Sequence, residues 1–253
     1  MESTPQPGGT RSRALPNSES SGAPAASPNL SWLPFLLQTT DALFPTGAYA
    51  HSLGFEEIVR LGLVTNESTL QDFLHQQIIP AQQHHELPYL RFAYTANTLE
   101  ERCAIDREIS AWKVARETRE ASAQLGGRRL RTLRTISTAR QLAEFDEAIQ
   151  QGQAAGHHLV VCALQAHVEG IPLLAALATW FYQSLAAICA AAMKLIRIGQ
   201  DGCQRVLRTA GQNAETVIQT SLTVSREDAG WFNPLLEIAG MRHERAHERL
   251  FIS

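Results

Sequence analysis

The pentapeptide His243-Glu244-Arg245-Ala246-His247 satisfies H-E-x-x-H. In that pattern two imidazoles on one helical face hold zinc while the glutamate between them activates water. The surroundings oppose the chemistry. The pattern stops six residues short of Ser253, which leaves no room for a third ligand downstream, and Arg242, Arg245 and Arg249 surround it with charge that repels a dication. An amphipathic terminal helix is expected instead, with a zinc metallopeptidase as the alternative. His84-His85 and His157-His158 are the next metal candidates, but neighbours on a helix point about 100° apart and cannot close on one ion. Solvated or capping histidines are expected there, and hydrogen-bonded core histidines at His51 and His167. Cys103, Cys162, Cys189 and Cys203 form no C-x-x-C pair and read as reduced thiols. Phosphate-binding glycine loops, a nucleophile elbow and a calcium loop are missing. No catalytic residue, metal site or tightly bound cofactor is therefore assigned.

Arg128, Arg129, Arg131 and Arg134 place four cations in seven residues, in a chain where 20 of the 22 basic residues are arginine. Single-stranded nucleic acid is usually gripped by such charge together with aromatic stacking, and no aromatic residue lies between Gly126 and Arg140. With a net charge of -3 overall, a solvated helix face or a protein-partner surface fits better than RNA.

The elements that must position these residues follow from the hydrophobic pattern. The chain's 253 residues, 44% hydrophobic and 19% charged, suffice for a sizeable core. Leu33, Leu36, Leu37, Thr40 and Leu43 share one helical stripe; Leu70, Phe73, Leu74 and Ile78 share another. No stretch alternates as a half-buried strand does. Capping pairs at Ser68/Gln71, Thr98/Glu101 and Ser225/Asp228 mark helix starts, and breaks are expected at Pro80, Pro88, Gly126-Gly127 and Gly152 to Gly156, among others. The pattern predicts an all-α single globular domain of about ten helices over residues 30–253. Residues 1–29 hold five of the eleven prolines and only Leu15 as a large apolar residue after Met1, so a disordered tail is expected. They resemble neither a secretory signal nor a transit peptide, which points to the cytoplasm. From Gly170 to Met193 there is no charged residue, long enough for a membrane span. Its many alanines, with Thr179, Gln183 and Ser184 in mid-run, favour a buried central helix.

The segment Gln38 to Glu57 packs Tyr49, His51 and Ser52 among small residues, so its polar groups must find specific partners. There the chain resembles the UreF family of urease accessory proteins. Asp41, Phe44, Pro45, Thr46, Gly47, Tyr49, His51, Ser52, Gly54 and Glu56 match that family's N-terminal pattern. Arg119-Glu120-Ala121-Ser122 with Gly127-Arg128, and Gly156-His157-His158, match two further blocks. Pro234 to Ile238, Met241, His243, Glu244, Arg249, Leu250 and Phe251 match its C-terminal pattern. The resemblance spans about Leu33 to Ser253 and leaves His247 at an open position. It departs at Phe55, Leu159, Asp201 and Asn233. It implies a non-enzymatic chaperone for nickel insertion into urease. Such a chaperone dimerises, binds a UreD-type (UreH-type) protein through residues 231–253, and recruits the GTPase UreG to apo-urease. Nickel would pass transiently through the complex. The implied partner-binding residues are Asp41, Pro45, Gly47, Tyr49, His51, Ser52, Glu56, Arg128, Met241, His243, Glu244, Arg249, Leu250 and Phe251, with Tyr49 and Arg249 helping to hold the UreG-docking surface.

Overall fold

The computed structural model describes residues 1, 2, 4, 29–46, 52, 54–246 and 248–252. By Cα proximity the chain divides into Met1–Leu30 and Ser31–Ser253, and the described helices all lie in the second unit. The disorder expected of residues 1–29 falls almost wholly outside the described residues. Among the described residues there is no strand, and the expected all-α class holds.

Helix α1 (Leu33–Thr40) carries Pro34 in its first turn, where a missing N–H costs nothing. It ends at the extended Asp41, whose carboxylate accepts from the Leu43 N–H at 2.8 Å and closes the following turn. Helix α2 (Phe55–Arg60) starts at Gly54, whose φ of 87° lies in the left-handed region that side-chain-bearing residues avoid.

From residue 67 to 95 the chain is helical without interruption, and this rod is α3. Its cap is not Ser68, which already lies inside the first turn. Asn66 takes that role, accepting from the Thr69 N–H at 3.1 Å while Thr69 Oγ1 accepts from the Asn66 N–H at 3.0 Å. The breaks expected at Pro80 and Pro88 do not occur. Two π-helical stretches, Leu74–Ile78 and Gln82–Glu86, flank Pro80 and widen the turns, so the ring and its missing donor are accommodated without ending the helix.

Helix α4 (Leu99–Trp112) has the expected Thr98/Glu101 capping box. Then follow α5 (Arg116–Ile136), α6 (Arg140–Gln150), α7 (His158–Val168), α8 (Leu173–Leu195), α9 (Gln200–Ala210), α10 (Ala214–Thr223) and α11 (Pro234–Glu244). Ser225 and Asp228 bond to each other but close a turn, with no helix after it. The break expected at Gly126-Gly127 is also absent, because both glycines lie inside α5.

The core centres on α7, which is buried around most of its circumference by the end of α3 and by α5 and α8. Helix α8 corrects the expected central helix. It buries Leu177, Phe181, Leu185 and Cys189 on one face, while Leu174, Tyr182 and Met193 are 52%, 57% and 42% exposed on the other. It is long and apolar enough to cross a membrane, yet only one face meets protein.

The loop leading into α7 is held by Asp106. This fully buried carboxylate of α4 accepts from the N–H groups of Ala155, Gly156 and His157 at 2.6, 3.1 and 2.7 Å. Burial pushes its pKa up despite those three donors. Helix α5 presses on the same loop at Gly126, where an added Cβ would meet the Gly156 carbonyl oxygen at 2.0 Å. At Gly127 nothing lies within 4 Å. Gly126→Ala should therefore cost about 3 kcal/mol of stability through overpacking. Gly127→Ala should gain up to about 1 kcal/mol of helix propensity. Urea titration of the two variants measures both, and equal midpoints would refute the close contact.

Candidate functional site

Helix α11 reaches the body of the protein at a crossing of two glycines. An added Cβ on Gly54 would stand 3.1 Å from the Gly240 nitrogen, and one on Gly240 would stand 3.1 Å from Thr118 Oγ1 and 3.2 Å from Ala115 Cβ. Backbone can therefore approach both the start of α2 and the start of α5. Asn233 caps α11, accepting from the Leu236 N–H at 3.2 Å, and Pro234 fills its first turn.

Around the crossing, carboxylates from both elements hold α11 and the chain beyond it. His243, buried to 1%, has Nδ1 2.9 Å from Glu117 Oε2 and Nε2 3.0 Å from Glu56 Oε2. A neutral ring can donate to only one of these acceptors, whereas an imidazolium donates to both. Glu56 also accepts from the N–H groups of Leu250 and Phe251, at 2.8 and 3.0 Å. Its own N–H faces the buried Ser52 hydroxyl at 3.4 Å. Glu57, whose side chain is 1% exposed, pairs with Arg60 at 2.5 Å and with Arg242 at 2.7 Å. Glu117 uses its second oxygen for Arg249 at 3.0 Å. Arg116 pairs with Glu244, and Glu237 accepts from the Ala115 N–H at 2.6 Å, where the amide dipoles of α5 favour an anion. Phe251, 5% exposed, closes the arrangement with the Lys194 ammonium 5.0 Å above its ring.

Burial alone would raise the Glu56 carboxyl, but the Leu250 N–H, the His243 ring and the Phe251 N–H outweigh it and hold the pKa below the ordinary glutamate value. The Arg60 guanidinium, against the cost of burial and aided by Arg242, holds Glu57 down likewise. Both carboxylates favour the docked arrangement in their ionised form.

The sequence-derived residues divide into three groups. Ser52, Glu56, His243, Arg249, Leu250 and Phe251 come together in this clamp, with Glu244 at its edge. Met241 is 39% exposed on the outer face of α11. Asp41 and Pro45 stand exposed in the turn after α1, and Arg128 is half-buried on α5. Gly47, Tyr49, His51 and His247 lie outside the described residues. Glu57, Glu117 and Arg116 were not singled out from sequence, and Arg242 and Glu237 were noted there only as a charge opposing a metal and as a member of the C-terminal pattern. The adjacent Glu56-Glu57 and Arg242-His243 doublets carried a charge signal, but their separation hid the pairing.

The described part of the zinc pattern does not form the continuous helical face it needs, and His247 lies outside the described residues. Helix α11 ends at Glu244, and both nitrogens of His243 face carboxylates. Among the described residues no group of three or more His, Cys, Asp or Glu is arranged to hold a metal ion. Three of the four paired histidines are not solvated as expected. His85 and His157 are buried, with burial, aided by Lys113, pushing them down to about 4 and about 3. His158 lies against the Trp180 ring and is pushed down to about 3 by burial and by Arg129. His157 occupies the position before α7 but bonds Ser110 Oγ at 2.7 Å instead of capping. His167 reverses the opposite expectation, being exposed and edge-on to Tyr94. The arginine run is not a uniform solvated face: Arg129 is buried, donating to Gln165 at 2.8 Å and covering the Phe44 ring.

Comparison with known proteins places this arrangement in a family context. The sequence profile of the UreF family matches residues 64–211. A urease accessory protein UreF from Paenarthrobacter aurescens (strain TC1) is 34% identical over 218 residues, covering 86% of this chain and 96% of that protein. The UreF of Corynebacterium glutamicum (strain R) is 29% identical over 218 residues, with 86% and 96% covered. That of Haemophilus influenzae (strain ATCC 51907 / DSM 11121 / KW20 / Rd) is 28% identical over 221 residues, with 86% and 94% covered.

The clamp makes a pH-dependent prediction. Carboxylates whose folded pKa is depressed contribute fully above the ordinary glutamate value, and the contribution is lost as pH falls through the folded value. Amide protection at Leu250 and Phe251, corrected for intrinsic exchange, should thus persist at neutral pH and collapse once pH falls below the ordinary glutamate range. Glu56→Gln should lower that protection at neutral pH by about tenfold to a hundredfold, as expected for hydrogen bonds to a charged acceptor. Protection unchanged by both acid and substitution would refute the clamp.

Proposed function

The chain belongs to the UreF family of urease accessory proteins, and on that premise we propose that it is a non-catalytic scaffold for nickel insertion into apo-urease, binding a UreD-type (UreH-type) protein and recruiting the GTPase UreG. The observation that carries this reading is the division of labour in the C-terminal segment. Carboxylates that are buried or largely enclosed hold its polar groups inward, while Ile238, Met241, Leu250 and Ile252 are 54%, 39%, 61% and 58% exposed. Trp231 and Phe232, just before α11, are also exposed. A surface built of large apolar side chains on a fixed backbone suits a stable protein partner, here the UreD-type protein. Ser52, Glu56, His243 and Phe251 then act by holding the segment that the partner touches, and Asp41, Pro45 and Arg128 are further candidate contacts. Nickel is cargo in this scheme, passed through the assembled complex in the cytoplasm.

The exposed face of α8 supports a second association. It is uncharged and offers Leu174, Tyr182 and Met193 beside the end of α1, where Gln183 Nε2 donates to the Thr40 carbonyl at 3.1 Å. An uncharged apolar face is complementary to its own copy about a two-fold axis, so a second copy of this chain covers it within the complex. Light scattering should give twice 27.8 kDa for the wild type and 27.8 kDa for Tyr182→Glu. A monomeric wild type would overturn the dimer.

Co-expression with the UreD-type and UreG-type proteins of the same source tests the scaffold. The wild-type chain should capture UreD and then UreG. Deletion of residues 231–253 should abolish both captures, and Ile238→Asp with Met241→Asp should do the same while leaving helicity intact. Failure of the wild type to capture either partner would overturn the reading.

A further inference from the structure

Arg129 of α5 is only 6% exposed, yet among the described residues it meets no carboxylate. Nε donates to Gln165 Oε1 at 2.8 Å, Cζ lies 5.1 Å from the centroid of the Phe44 ring, and neither Nη atom has a hydrogen-bond partner among the described residues. A buried cation is normally paired, because removing it from water without a counter-charge is costly. The ionisable groups on which its charge acts do not supply one. Burial raises the Cys162 thiol against the pull of Arg129, so it stays protonated at neutral pH. His158 is pushed down to about 3 by burial and by Arg129 and stays neutral.

The guanidinium also lines a cavity of about 30 Å³, together with Thr40 of α1, Cys162 and Gln165 of α7, and Trp180 and Gln183 of α8. That is more room than one water needs, and no acidic residue stands in the walls. His158, packed on the Trp180 ring, has a buried Nε2 without a partner that can serve as a further donor.

We propose that this cavity binds one small monovalent anion, of the size of chloride or bromide, on the Arg129 guanidinium. A tetrahedral dianion is too large for the space and would need a second cation that the walls lack. The anion completes a network that fastens the end of α1 to the core. Gln165, which accepts from Arg129, donates to Thr39 Oγ1 at 2.7 Å, and Gln183 donates to the Thr40 carbonyl at 3.1 Å. Binding at the guanidinium therefore tightens α1 and leaves the C-terminal clamp unchanged. The site stands independently of the scaffold reading.

Hydrogen exchange of the full chain in sodium chloride and in sodium gluconate, at equal ionic strength, tests this, gluconate being too large to enter. Amides 36–40 should exchange several-fold more slowly in chloride, saturably, while those of Leu250 and Phe251 should not change; sulfate should give the gluconate result. Arg129→Met should abolish the chloride response. Should that variant fail to fold, Cys162→Met carries the test, because it fills the cavity with a flexible apolar side chain and keeps the guanidinium. Crystals grown in bromide should show an anomalous peak beside Arg129. Slowing spread over all helices, or retained in Cys162→Met, is a general salt effect and overturns the site. No bromide peak beside Arg129 overturns it, and a peak without any exchange response in solution is binding at crystal concentration only and overturns it as well.

Discussion

The imidazole of His243 between two carboxylates is the contact on which the C-terminal half of the surface depends. Glu56 and Glu117 come from elements far apart in sequence, and each would be costly to bury facing the other without a donor between them. The ring supplies that donor and joins α2, α5 and α11 at one point. Once Glu56 is held ionised there, its remaining acceptor capacity captures two successive backbone N–H groups of the terminal segment. Segments near a chain end are usually poorly ordered, and here a partly buried anion replaces the hydrogen-bond partners that a helix would otherwise provide.

The clamp is rigid because α5 anchors it. The first turn of that helix contributes Arg116, Glu117 and the Ala115 N–H to the clamp, and its middle is pressed through Gly126 against the loop that Asp106 holds. Further along, Arg129 reaches Gln165 of α7, whose amide in turn donates to Thr39 of α1 at 2.7 Å. One continuous helix therefore connects the terminal segment, the buried core helix and the N-terminal motif. The second π-helical stretch of α3 joins a neighbouring contact, since the His84 carbonyl accepts from the Gly230 N–H at 2.9 Å, and Gly230 lies against the Trp112 ring just before α11 begins.

Periodicity and capping made the helical class legible, and Thr98 with Glu101 marks the start of α4 as expected. What sequence alone missed depends on tertiary context. Pro80 reads as a break because local rules count its missing donor, but π-helical turns on either side absorb that loss inside a packed rod. The charge-free run of α8 reads as buried because nothing in its own residues states which face lacks a neighbour. His85 and His157 read as solvated because local composition does not reveal burial that keeps them neutral. In the clamp the individual residues stood out, while their partners did not. Glu56 and His243 were visible as motif members, yet Glu57, Glu117 and Arg242 are ordinary surface-type charges until the fold brings them together.

That difference explains how, in the proposed scaffold, the C-terminal segment can need specific residues for binding alone. A binding surface needs apolar side chains outward and a backbone that does not lose its freedom on association. Exposed Leu250 and Ile252 meet the first requirement. The second falls to groups that a partner hardly reaches: the carboxylates of Glu56 and Glu117, the ring of His243 and the Phe251 side chain inserted into the body. In the proposed scaffold, partner binding would therefore depend on the enclosed polar residues as well as on the exposed apolar ones. A histidine-glutamate pattern that looks like metal chemistry is in this fold part of a fastening.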